Sequence, residues 1–214
     1  SQPAQRDDAQ AKDSNDMEHL AGQSVLFDVA HRPSATPSAG LKTLRRKLAA
    51  AKLTANKEPL SSDRLAEQNI LLLPGPREKF TEAEFAAIKQ FIHAGNSVLL
   101  TLADGGEPAL RTNVNYLTEE YGIECRADSV VRTVYYKYPH PKEVCVQDGV
   151  LNSGLERSAG VVSSSDNGTA SGLTFVYPYG ASLTVQKPAY PVLSSGALAL
   201  LGAAAALVLA ICGG

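Results

Sequence analysis

The chain reads as an α/β protein built on an open parallel sheet, with a β-rich C-terminal half. Three observations lead there. Strand and helix patterns alternate from Ser24 to Gly122, and the strand segments are apolar throughout. After about residue 125 the helical signal fades and short β segments take over. Apolar runs without alternation belong to strands buried on both faces, which requires helices above and below a parallel sheet.

Taken in order, Val25-Leu26-Phe27 is a short apolar run ending at Asp28, the pattern of a buried strand. A Pro/Ser/Gly loop from Arg32 to Gly40 follows, then a helical stripe of Leu41, Leu44 and Leu48. Ile70 to Leu73 is a second buried strand, closed by Pro74-Gly75-Pro76-Arg77. Thr81 and Glu84 make a capping box, Phe80 and Phe85 a hydrophobic staple, and Phe85, Ile88 and Ile92 an inward stripe that stops at Gly95. Val98 to Leu102 is a third strand, Asp104-Gly105-Gly106 a turn, and Val114, Leu117 and Tyr121 mark a helix ending at Gly122. Beyond it, 130–138, 144–147, 173–177 and 182–186 read as β segments, the last two as a hairpin around Pro178-Tyr179-Gly180. Ser163 to Gly172 reads as a mobile loop.

Composition narrows the function. The 214 residues are 44% hydrophobic and 20% charged, with a net charge of −2. That balance suits a globular chain and argues against a nucleic-acid binder, which carries a basic excess. Cys125, Cys145 and Cys212 are an odd number without C-x-x-C spacing, as expected of free thiols in a reducing compartment. No apolar signal core opens the chain, so a protein of the cytosolic side is expected. Residues 1–23 are polar and acidic and read as a disordered lead-in, residues 24–196 as the α/β domain. Residues 197–214 form an apolar Ala/Leu-rich tail, with sixteen residues from Ala197 to Cys212 lacking any polar side chain. A bilayer span needs about 20 residues. A short membrane anchor, a helix packed on the domain and an aberrant terminus all fit the tail.

Ligands of an open parallel sheet bind beyond the carboxyl ends of its strands. The loops Asp28–Arg32, Gly75–Glu78 and Asp104–Glu107 should meet there and bring Asp28, His31, Arg77, Glu78, Asp104 and Glu107 to one rim. Two readings fit. In an enzyme, Asp104 or Glu107 would serve as general base and Arg77 as anion clamp. Otherwise these groups cap helices and pair with one another. Neither strand-to-helix turn carries a Cys, Ser or Thr nucleophile, there is no phosphate-binding glycine loop, and the four histidines are scattered. No catalytic residue, cofactor or metal site is therefore expected. Seven basic residues and no acid lie between Arg32 and Lys57, among them Arg45, Arg46 and Lys47. They are either a docking face for an acidic partner or a solvated helix face. Tyr135, Tyr136 and Tyr138, followed by Pro139-His140-Pro141, make either a rigid binding surface or a buried strand end.

Several blocks carry a resemblance. GPREKF (75–80), GGE (105–107), NVNYLTEEYG (113–122), SVVRTVYYKYPHPKE (129–143) and LTFVYPYGASLTVQKPAYPVLSSG (173–196) resemble the N-terminal amidotransferase-like (GIFT) domain family of intraflagellar transport protein 52. The similarity runs from Ser24 to Gly196, 173 of the 214 residues. It implies a Rossmann-like, class I glutamine-amidotransferase-like fold with no catalytic role. It also implies a structural subunit of intraflagellar transport complex B at the cilium or flagellum and basal body, on the cytoplasmic side. The expected partners are other complex B subunits, including a tetratricopeptide-repeat protein, and kinesin-2 trains indirectly. Active amidotransferases place a Cys on the turn where Ala103-Asp104-Gly105 falls here, and its absence agrees with the reading against catalysis. Family members continue into helical segments that bind other subunits, whereas this chain runs into its apolar tail after Gly196. That departure suggests a fragment, an altered product, or a membrane-directed variant.

Overall fold

The computed structural model describes residues 21–132, 140–146, 149–151 and 174–194, with backbone alone for 199–200 and 209–212. The chain groups into two compact units, Ser1–Pro76 with Thr81–Leu100 and Ala210–Gly214, and Arg77–Phe80 with Thr101–Leu209. The predicted mobile loop at 163–172 lies outside the described residues.

The first unit runs β1 (Ser24–Asp28), α1 (Lys42–Lys47), β2 (Lys52–Asn56), α2 (Ser62–Leu65), β3 (Ile70–Pro74), α3 (Glu82–His93) and β4 (Ser97–Thr101). β1 lies between β2 and β3 and is parallel to both, with Val25 opposite Leu53 on one side and Ile70 on the other. The sheet order is β2-β1-β3-β4, so the chain starts in the middle and switches direction between β1 and β3. Val25, Phe27 and Leu72 pack with Ala51 against Leu41, Leu44 and Leu48, the stripe that flanks and includes α1. Side chains alternate along a strand, so Leu26, Leu71 and Leu73 point to the opposite face, and they are buried as well. Both faces of the sheet are thus covered, as the unbroken apolar runs required. Each such leucine contributes about 2 kcal/mol of burial.

α3 forms for the reasons its sequence announces. The Thr81 hydroxyl accepts from the Glu84 N–H at 3.3 Å, and a Glu84 oxygen accepts from the Thr81 N–H at 2.9 Å. Phe85, Ile88 and Ile92 are buried, and Gly95 ends the helix at φ +89°. Sequence reasoning missed β2, whose KLTAN has one strongly apolar residue and is mostly exposed. Pairing with β1, and not burial, makes it a strand. The apolar tail supplies β11 (Leu209–Cys212), which borders β4, so its described part is strand where a packed helix was one option. No helix of the described residues is long and apolar enough to cross a membrane.

The second unit contains α4 (Gly106–Leu110), α5 (Asn115–Thr118) with a 3-10 turn at Glu119–Tyr121, β5 (Ile123–Cys125), β6 (Val131–Arg132), β7 (Glu143–Val146), β8 (Phe175–Pro178), β9 (Leu183–Val185) and β10 (Ala199–Leu200). The expected hairpin between 173–177 and 182–186 does not form. β8 pairs antiparallel with β7, and β9 pairs antiparallel with β5. The segment between them is held instead by other parts of the unit. The Asp128 carboxylate accepts from the Ser182 N–H at 2.7 Å and its hydroxyl at 2.5 Å. The N–H groups of Asp104 and Val130 donate to the carbonyls of Tyr179 and Gly180, each at 2.8 Å. These bonds carry the chain from one ribbon to the other. Val130, Val144 and Val146 pack against Phe175 and Tyr177 to close a small core.

Gly122 has φ +79°, and a Cβ there would stand 2.3 Å from the Gln186 carbonyl oxygen. Gly95 has φ +89° with nothing within 4 Å of such a Cβ. Urea denaturation should show Gly122→Ala costing about 2–3 kcal/mol and Gly95→Ala about 1 kcal/mol. Equal costs would mean that close approach adds nothing at Gly122.

Candidate functional site

In an open parallel sheet a ligand lies in the crevice beyond the carboxyl ends of the strands, where the strand order switches, here between β1 and β3. In the first unit that crevice is occupied by the protein's own groups. Asp28 ends β1 and is 1% exposed; His31, three residues on, is 5% exposed. The His31 Nδ1 stands 2.8 Å from the Asp28 Oδ2, and its Nε2 stands 3.2 Å from the Glu84 Oε1. The same Glu84 oxygen accepts from the Leu60 N–H at 3.1 Å, and its other oxygen from the Thr81 N–H and hydroxyl at 2.9 and 2.8 Å. Asn56, at the end of β2, donates to the Asp28 Oδ1 at 3.3 Å. Beside them the Ser34 N–H donates to the carbonyls of Pro74 and Gly75 at 3.1 and 2.9 Å. Gly75 sits at φ +60°, where a Cβ would fall 2.2 Å from the Ser34 oxygen.

Burial works to lower the His31 pKa, but the Asp28 hydrogen bond and the charges of Asp28 and Glu84 outweigh it and hold it above its ordinary value. Burial works to raise the Glu84 pKa, but the bonds from Thr81 and Leu60 and the charge of His31 outweigh it and hold it low. Both ring nitrogens face carboxylates, which only the protonated ring can serve at once. Nε2, the atom that would take a proton from a nucleophile, is committed to Glu84. The arrangement ties the ends of β1 and β2 to the start of α3.

The other predicted rim residues belong to the second unit. Arg77 is exposed and Glu78 half-buried, its carbonyl accepting from the Thr112 hydroxyl at 3.0 Å. Asp104 is ion-paired with Lys142. Glu107 lies in the first turn of α4. Burial raises its pKa and Glu119 adds to the effect, against the backbone N–H of Asn115 and the charge of Lys79. Burial also pushes the Cys125 thiol up to about 12, so it is not a reactive thiolate. Tyr135, Tyr136 and Tyr138 lie outside the described residues. Arg45, Arg46 and Lys47 form the exposed last turn of α1, and among the described residues no group of three His, Cys, Asp or Glu is arranged to hold a metal. A groove between α2 and α3, lined by Leu65, Ala87 and Phe91, has a volume of about 170 Å³. Pockets for cofactor-sized ligands run to roughly 300–1,000 Å³.

Sequence reasoning brought Asp28 and His31 to one rim and placed Glu84 in a cap; it did not see that Glu84 joins the pair. Asn56 escaped with β2. The signal available was the pairing of an acid and a histidine three residues apart at a strand end.

Raised and lowered pKa values have opposite consequences for stability. The contribution of charged His31 is fully present below its ordinary 6.5 and is lost as pH rises through its higher folded value. That of Glu84 is present above its ordinary 4.5 and is lost as pH falls through its lower folded value. Unfolding free energy measured against pH should therefore decline above 6.5. His31→Gln should remove that decline and cost about 3 kcal/mol at mildly acidic pH. An unchanged alkaline slope in the variant would show that His31 is not its source.

Comparison with known proteins gives a consistent result. The family model described as IFT52 GIFT domain matches residues 24–205. The chain is 43% identical over 189 residues to the intraflagellar transport protein 52 homolog of Mus musculus and 41% identical over 189 residues to that of Homo sapiens. Each alignment covers 85% of this chain but only 44% and 43% of the relative, so the chain spans under half their length. The solved structure described as mmIFT52 N-terminal domain superposes with a TM-score of 0.78 at 39% identity, covering 89% of this chain and 86% of that one.

Proposed function

Because the chain belongs to the IFT52 GIFT domain family, we propose that it acts as a non-enzymatic structural module of intraflagellar transport complex B. It supports assembly and maintenance of cilia or flagella through protein–protein contacts. The observation that carries the non-enzymatic part is the filled crevice between β1 and β3. There His31 is held between Asp28 and Glu84, and Ser34 closes on Gly75. A doubly wound framework of the amidotransferase kind would bind and turn over its ligand in that place, and here the protein's own buried network stands in it.

With the crevice taken, the surface is what remains to work with. The proposed contacts are the exposed basic turn at Arg45, Arg46 and Lys47, the segment Arg77–Glu78, the Asp104 and Glu107 side of the second unit, and the tyrosine-rich segment 135–138. The partners are other complex B subunits, a tetratricopeptide-repeat subunit among them, with kinesin-2 reached indirectly. The site of action is the cilium or flagellum and its basal body, on the cytoplasmic side.

Affinity purification of the full chain from ciliated cells, followed by mass spectrometry, tests the reading. Complex B subunits should be recovered, and simultaneous reversal of Arg45, Arg46 and Lys47 to Glu should reduce that recovery at unchanged melting temperature. Failure to recover any such subunit with a folded chain would overturn the assembly role. Undiminished recovery by the variant would remove the basic turn from the interface.

A further inference from the structure

Among the described residues β2 is the outer strand of its sheet, and in sequence it follows the most basic stretch of the chain. Two hydrogen bonds fix which of its backbone groups are spent. The Lys52 N–H donates to the Gln23 carbonyl at 2.9 Å, and the Asn56 carbonyl accepts from the Val29 N–H at 2.8 Å. Both therefore face β1. Backbone groups alternate in direction along a parallel strand, so Leu53 and Ala55 turn their N–H and C=O groups to the open edge. Lys52, Thr54 and Ala55 are exposed there. Lys52 begins the strand, Lys57 follows its end, and Arg45, Arg46 and Lys47 close the helix just before it. None of these five cations, nor Lys42, is paired with a carboxylate among the described residues.

We propose that the β2 edge is a docking site for an extended acidic segment of a partner protein, which adds to the sheet as a further strand. The proposal rests on the reading of the chain as an assembly module and names where one contact is made and with what chemistry. Strand addition uses the edge N–H and C=O groups of Leu53 and Ala55 for affinity, while the side chains beside the edge set selectivity. Here Lys52 begins the strand and Lys57 follows it, in a stretch with no acid from Arg32 to Lys57, so a basic strand is repelled and an acidic one attracted. Lysine on an edge strand also discourages a second copy of the same edge from pairing with it, since like charges would face each other. That combination selects a partner of opposite charge and keeps identical chains apart.

The probes are a synthetic peptide alternating glutamate with valine, its counterpart with lysine for glutamate, and phosphatidylserine vesicles, each added to the full chain. Hydrogen exchange at the amides of Leu53 and Ala55 is the readout. The acidic peptide should slow exchange there, the lysine peptide should not, and added salt should weaken the effect. Ala55→Pro removes an outward N–H without touching the bonds to β1, and it should abolish the protection. Reversal of Arg45, Arg46 and Lys47 should do the same, and this variant keeps the test open if the proline variant unfolds. Three results would overturn the proposal. Protection that survives Ala55→Pro would mean charge attraction without strand addition. Binding of vesicles and not of the acidic peptide would make the patch a membrane face. No response to any probe would leave the edge without this role. Recovery of complex B subunits from cells alongside such a negative result would leave the assembly reading intact and remove only the edge as its site.

Discussion

One buried histidine held between two buried carboxylates is the constraint around which the first unit is arranged. His31 reaches Asp28 with Nδ1 and Glu84 with Nε2, and the three residues are 5%, 1% and 4% exposed. Charged groups this deep are costly unless each finds partners. The unit supplies them from every neighbouring element: Asn56 from β2, the Leu60 N–H from the following loop, and Thr81 from the cap of α3. The network therefore fixes where β1 ends, how β2 lies beside it and where α3 begins.

The capping box shows how one residue serves two levels of structure. Glu84 satisfies the start of its own helix by accepting from the Thr81 N–H, a local interaction worth about 1 kcal/mol. Its other oxygen accepts from Leu60 and faces His31, which are distant in sequence. A local signal in the sequence thus becomes a tertiary anchor. The second unit uses amides to the same end. The Asn115 side chain exchanges two 3.0 Å bonds with the backbone of Cys125, and the Asn113 side chain exchanges bonds of 2.7 and 2.9 Å with that of Phe80. Each supplies the donor and acceptor that a neighbouring strand would have given.

The same network bears on function. An open parallel sheet offers a ligand site beyond the carboxyl ends of its strands, where the strand order switches, and between β1 and β3 this chain has internal polar contacts and the approach of Ser34 to Gly75. The basic turn of α1 and the free edge of β2 adjoin in sequence and are exposed, whereas Asp104, a residue the sequence offered as a catalytic base, is engaged by Lys142.

Residue order alone determined the apolar strands at Val25, Ile70 and Val98, the capped helix from Glu82, the glycine stops at Gly95 and Gly122, and the family blocks from Gly75 onward. Those features depend on local chemistry: burial on both faces, a side chain within three residues of an unpaired N–H, or a positive φ that glycine alone adopts cheaply. Tertiary structure decided the rest. β2 is a strand only because β1 pairs with it, and its mostly exposed KLTAN carries no burial pattern to announce this. β8 and β9 look like a hairpin in sequence, yet Asp128 captures Ser182 and sends the two strands to different partners. His31 and Glu84 are 53 positions apart, and no spacing rule connects a loop after one strand to the first turn of a distant helix. Such contacts arise when the sheet closes, because only the assembled strand order brings the groups within hydrogen-bond reach.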